Sequence, residues 1–161
     1  MEYKTQSEFR LECRQRLYEY ASMKREVRQW EQDLIGLQGG SGDLNAGIRS
    51  IGTNSDPTGR NALLLAEAPA HIQRKRKWIV AIDSAIAEIK QQDDGIMFGT
   101  FYIMRQVYNL DGIKRTRREK QSRMERVQKD CHISLRTLYR RLDEIVNIVC
   151  YHAARNGLAD K

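Results

Sequence analysis

Proline is nearly missing from this chain of 161 residues: only Pro57 and Pro69 occur. Few positions therefore force a helix to stop. β-branched residues nowhere alternate with polar ones for long, which removes the signature of half-buried strands. Leu, Ile, Glu, Lys, Arg, Gln and Ala dominate, so an all-α fold is expected. Cysteine is scarce as well. Cys13, Cys131 and Cys150 are odd in number and far apart, which argues against a disulfide framework and for small core residues. Cys131, His132, Cys150 and His152 lack the CxxC or HxxxH spacing of a zinc site. No apolar run approaches the ~20 residues that span a bilayer. Met1-Glu2-Tyr3-Lys4 leads straight into charge with no sign of a signal peptide, so a soluble, intracellular protein is expected. Catalytic signatures are absent too. Gly39-Gly40-Ser41-Gly42 lacks the lysine and following helix of a phosphate-binding loop, and no paired carboxylates or metal cluster stand out. No enzyme activity, cofactor, catalytic residue or metal is expected.

What is present in excess is positive charge, and it is unevenly placed. The net charge is +7. Residues 1–38 carry seven Lys/Arg and seven Asp/Glu; residues 39–93 carry seven and six; residues 94–161 carry fourteen and eight. From Lys114 to Arg141 there are eleven basic residues against Glu119, Glu125 and Asp130. Such a segment attracts a polyanion and releases its counterions.

Periodicity divides the chain into helices. The first is expected from about Ser7, a possible cap, to Gln38. Its apolar residues follow a heptad, with Cys13, Tyr20, Val27 and Leu34 in one series and Phe9, Met23, Trp30 and Leu37 in the other. Residues 39–61 read as a linker rich in Gly, Ser, Asn and Asp. Asp56-Pro57 offers a helix start, and Pro69 a kink or restart. From Ala70 to Gln92 the heptad returns in Ile72, Ile79, Ile82, Ile86 and Ile89, with Lys75 in one slot. The two heptad helices are expected to form an antiparallel, coiled-coil-like hairpin; a homodimer through the same stripes is the alternative. Arg74-Lys75-Arg76-Lys77 reads as a solvated basic turn of helix that could add phosphate contacts. After Asp93-Asp94-Gly95, a short helix is expected from about Ile96 to Tyr108, with Phe98, Tyr102 and Met104 inside. Asn109-Leu110-Asp111-Gly112 is a turn. Two domains result: a helical scaffold over residues 1–93 and a C-terminal unit over residues 94–161.

The last two helices, about Thr116 to Lys129 and Ser134 to Arg155, carry the functional reading, with Gly157 as terminator. The chain turns over Cys131-His132-Ile133, and Ser134 stands where an N-cap is needed. Leu138, Leu142, Ile145 and Val149 then recur at helical spacing on one inward face. Arg136 and Arg140 share the outer face with Leu135 and Tyr139 near the helix start. This is a helix-turn-helix pattern, in which the first residues of the second helix reach base edges in the major groove. An arginine fork matches O6 and N7 of guanine. Ser134 and Thr137 suit phosphate oxygens, and Arg117, Arg118, Arg123 and Arg141 add basic contacts. The expected partner is double-stranded DNA.

The stretch from Cys131 to Arg140 resembles the recognition segment of the phage RinA/ArpU-type late transcription regulators, which are similar to region 4 of sigma-70 factors. Ile133, Ser134, Thr137, Leu138 and Arg140 match that pattern. Ser55-Asp56-Pro57-Thr58 before a basic, isoleucine-rich helix, and the long first helix, also look like this family. The chain departs from the pattern at Gln128, where alanine is usual, and at His132, where glycine is usual. Gln128 is expected to space the two helices slightly, and His132 to take a positive φ. The resemblance implies a phage-encoded late-gene activator at work in the cytoplasm of a bacterial host. Two other functions compete. One is a small-terminase-like subunit that recognises DNA for packaging; the other is a sigma-like partner of host RNA polymerase with weak DNA affinity of its own.

Overall fold

The structure, a computed structural model, describes residues 5–39, 68–114 and 116–159. The expected linker beyond residue 39 and the helix start at Asp56-Pro57 lie outside the described residues. Among those described, the fold is all-α, with five helices and no strands. They are α1 (Gln6–Gly39), α2 (Ala70–Asp93), α3 (Thr100–Tyr108), α4 (Arg117–Cys131) and α5 (Leu135–Arg155). None of these is long and apolar enough to cross a membrane.

Local chemistry sets each helix start. Thr5, not Ser7, caps α1: its N–H donates to the Glu8 carboxylate at 2.7 Å and its hydroxyl accepts from the Glu8 N–H at 3.3 Å. Only Thr5 has an acid three residues on, which closes the reciprocal box; Ser7 has Arg10 there. Pro69 is the residue directly before α2, where its missing N–H costs no helical bond. The third helix starts at Thr100, later than the pattern suggested. Asp93 is the cause, since its carboxylate accepts from the N–H groups of Thr100 and Phe101 at 2.9 and 2.7 Å. A Cβ at Gly99 would stand 2.5 Å from the Asp93 carboxyl carbon, so only glycine leaves room for this reach. Phe98 thus falls outside the helix and is exposed, edge-on to half-buried Tyr102, while Met104 is buried as expected.

One hydrophobic cluster draws on all five helices. In α1, Cys13, Tyr20, Met23 and Val27 are buried as the heptad requires, and Leu17, which the heptad skips, is buried with them. In α2 the buried set is Ile72, Trp78, Ala81, Ile82, Ala85 and Ile89; Ile79 and Ile86 are only half-buried. A heptad assumes one partner, but α2 packs against α1, α3 and α5, so its buried surface is wider than a stripe.

Charge pairs join α1 to α2. Arg74 reaches Glu12 at 3.3 Å, Lys75 reaches Glu26, and Arg76 reaches Glu31 at 2.9 Å. Glu12 and Glu26 are ~21 Å apart along a helix axis, so these pairs do not follow one antiparallel register. The basic run of α2 is answered by acids at two places on α1. Each exposed pair is worth only ~0–1 kcal/mol. Their importance lies in which charges they cancel.

Candidate nucleic-acid interface

The C-terminal helix pair is defined by its caps. Thr116 and Glu119 form a capping box at the start of α4. At the end of α4, His132 takes φ 53°, as the sequence demanded, and its N–H bonds back to the carbonyls of Gln128 and Lys129. Ile133 N–H donates to the Gln128 carbonyl at 3.1 Å. Ser134 then caps α5, its hydroxyl accepting from Thr137 N–H at 3.2 Å. The Ser134 and Thr137 hydroxyls lie 3.0 Å apart and hydrogen-bond each other.

Packing decides what this pair presents. Leu138, Leu142, Ile145 and Val149 are buried, joined by Val146 and Ala153. The outer face near the start of α5 is open: Leu135 is 46% exposed and Tyr139 55%, and Arg136 is exposed with them. Arg140 is exposed, with Nε 3.9 Å from Glu144, whereas Arg141 holds the same carboxylate at 3.0 Å. The charge of Arg141 is therefore answered and that of Arg140 barely so. Arg136 has no carboxylate partner among the described residues, and the first turn of α5 holds no acid. The positive end of the helix dipole adds to this field.

The other expected contact residues are more scattered. Arg118 is exposed in the first turn of α4; the side chain of Arg117 lies outside the described residues. Arg123 is half-buried, and its Nη1 donates to the Gln106 carbonyl at 2.7 Å. With Tyr102 and Asp130, it ties α4 to α3. Indeed α4 makes its main tertiary contacts with α3 and few with α5. Gln128, half-buried beside the turn, is the bulky residue at that junction.

Among the described residues, no group of three or more His, Cys, Asp or Glu is placed to hold a metal ion. His152 instead meets Glu88 at 2.7 Å, and Cys150 faces Cys13 across the α1–α5 junction. The neighbouring Cys13 thiol lowers the pKa of Cys150, with burial opposing and the charge of Arg10 assisting, while the Cys150 thiol and burial raise that of Cys13. Residues 13 and 150 carry no sequence signal of this meeting. Neither do Arg10 and Arg14, which approach Asp143 at 3.4 and 3.2 Å. Comparison of the chain with protein-family models, with curated proteins and with solved structures gives no match.

Proposed function

We propose that this chain is a sequence-specific duplex-DNA-binding regulator of transcription, with α4 and α5 as a helix-turn-helix and α5 entering the major groove from Ser134. The observation that carries the reading is the open face of Leu135, Arg136, Tyr139 and Arg140 at the start of α5, directly behind a capped three-residue turn. Two arginines with little or no carboxylate competition stand one helical turn apart there, at the spacing that presents successive forks to base edges. Exposed Ser134 and Arg118 flank them as phosphate contacts. The resemblance of Ile133, Ser134, Thr137, Leu138 and Arg140 to the RinA/ArpU-type pattern narrows the proposal to a phage late-gene activator in a bacterial cell, with host RNA polymerase as a further partner. The apolar stripes of α1 and α2 are buried within one chain, so a homodimer would use other surfaces.

The test is selection of bound fragments from random and phage genomic duplexes at physiological salt. A regulator enriches one motif. Failure to enrich any motif removes the sequence-specific reading. Solution mass with and without DNA separates it from a packaging subunit, which would form a ring of many copies. A requirement for added RNA polymerase would assign the sigma-like role.

A further inference from the structure

We propose that a second basic surface, a groove along α1 walled by α2, α3, the turn after α3 and the middle of α4, holds the phosphate backbone of the same duplex. This proposal rests on the DNA-binding reading above. The groove consists of two adjoining open clefts that share Ala21 and Arg25. One is lined by Arg25, Lys114 and Arg123, with no carboxylate among its described lining residues. The other adds Lys24, Arg28, Lys90 and Arg105. Asp83 and Asp111 are its acids, and they already answer Lys24 at 3.7 Å and Arg105 at 2.9 Å. Arg25, Arg28, Lys90 and Lys114 have no carboxylate partner among the described residues.

The first 38 residues are neutral in sum, yet the fold separates their charges. Glu12, Glu26 and Glu31 are turned to the basic run of α2 and cancelled there. Lys24, Arg25 and Arg28 are left on the groove side. A run that looks available for phosphate, Arg74 to Arg76, is thus largely neutralised, and a segment that looks inert presents cations. A series of cations along a concave surface suits a repeating chain of phosphodiesters.

The groove is also within reach of the proposed reading helix. Arg123 lies nine residues before His132 on α4, which is ~14 Å along the helix axis. One turn of duplex spans ~34 Å, so one site can cover both surfaces.

Arg28, Lys90 and Lys114 are exposed and make no hydrogen bond to a described residue; Lys90 rests over the Phe101 ring at 4.4 Å, a contact worth only ~0.5–1 kcal/mol at an exposed site, so their loss should spare the fold. The experiment is a salt titration of duplex binding by the full chain and by the triple variant R28A/K90A/K114A, with circular dichroism and a thermal melt as the fold control. The slope of log affinity against log salt should fall by ~2–3. Affinity should drop at least tenfold for specific and random duplexes alike, their ratio unchanged. An unchanged slope and affinity, alongside loss of specific binding in Arg136→Ala, would overturn the groove and leave the proposed function standing. Absence of salt-dependent duplex binding by the unaltered chain would defeat the functional reading first, and this one with it. Binding of inorganic pyrophosphate that the triple variant loses, with its duplex slope unchanged, would assign the groove to a small anion and also overturn the proposal.

Discussion

The hydroxyl of Tyr102 on α3 donates to the carboxylate of Asp130 on α4 at 2.6 Å. Burial, and then this bond, push the phenol up to about 12. Tyr18, Tyr20 and Tyr108 are raised as well, with burial the leading cause in each. An unperturbed tyrosine loses its proton near pH ~10. A group raised in the folded state contributes stability that is complete below its unfolded pKa and is lost as pH climbs through the folded one. Urea midpoints should therefore hold level up to about pH 10 and fall between about 10 and 12. Tyr102→Phe should cost about 1 kcal/mol below pH ~10 and flatten the alkaline fall. An identical fall in the variant would mean that Tyr102 takes no part in it.

At the start of α5, Arg136→Ala and Arg140→Ala should each weaken the selected site by about 1–3 kcal/mol while leaving random duplex less affected. Arg118→Ala should weaken all sequences equally. Competition binding at fixed salt reads both. Equal loss on every sequence from Arg136→Ala would show that its fork touches only phosphate.

The turn between α4 and α5 gives opposite signs at two neighbouring positions. Ser134→Ala removes the bond to Thr137 N–H and should cost about 1 kcal/mol. His132 sits at φ 53°, where a Cβ is costly and glycine is not. Glycine also loses more freedom on folding, so His132→Gly should gain a net of about 0.5–1 kcal/mol. Thermal melts of the two variants should move in opposite directions.

These residues also show where sequence suffices. Leu138, Leu142, Ile145 and Val149 have a repeat that only a helix satisfies, and Ser134 sits where an N-cap needs a hydroxyl. Local rules reach that far. They do not reach Trp78, Ala81 and Ala85, which are buried because α2 meets three helices, a fact no window along α2 contains. Asp93 looked like a helix breaker and is also the donor-satisfying cap of the next helix, seven residues on. The cancellation of Arg74, Lys75 and Arg76 depends on acids at least 45 residues away, so a charge census along the chain credits the wrong segment.

Cysteine chemistry tests the α1–α5 contact. Cys150 and Cys131 are both half-buried. The Cys13 thiol lowers the pKa of Cys150, whereas burial, and then Asp130, raise that of Cys131. The thiolate is the nucleophile, so Cys150 should alkylate faster at neutral pH, with its rate profile displaced to lower pH. Cys13→Ala should slow it. Peptide mapping after timed iodoacetamide labelling measures this, and an unchanged Cys150 rate in Cys13→Ala would show that the two thiols do not bond.

The meeting of α1 with α5 also fixes an order of assembly. Cys13 and Leu17 share a core with Val149 and Ala153, and Arg14 approaches Asp143 from 129 positions away. Contacts so distant along the chain form slowly, because a long loop has to close first. During synthesis α1 leaves the ribosome first, yet it cannot finish docking until α5 has emerged. For that interval its apolar side stands open to chaperones, or to the α5 of a neighbouring copy, the exchange that yields swapped dimers.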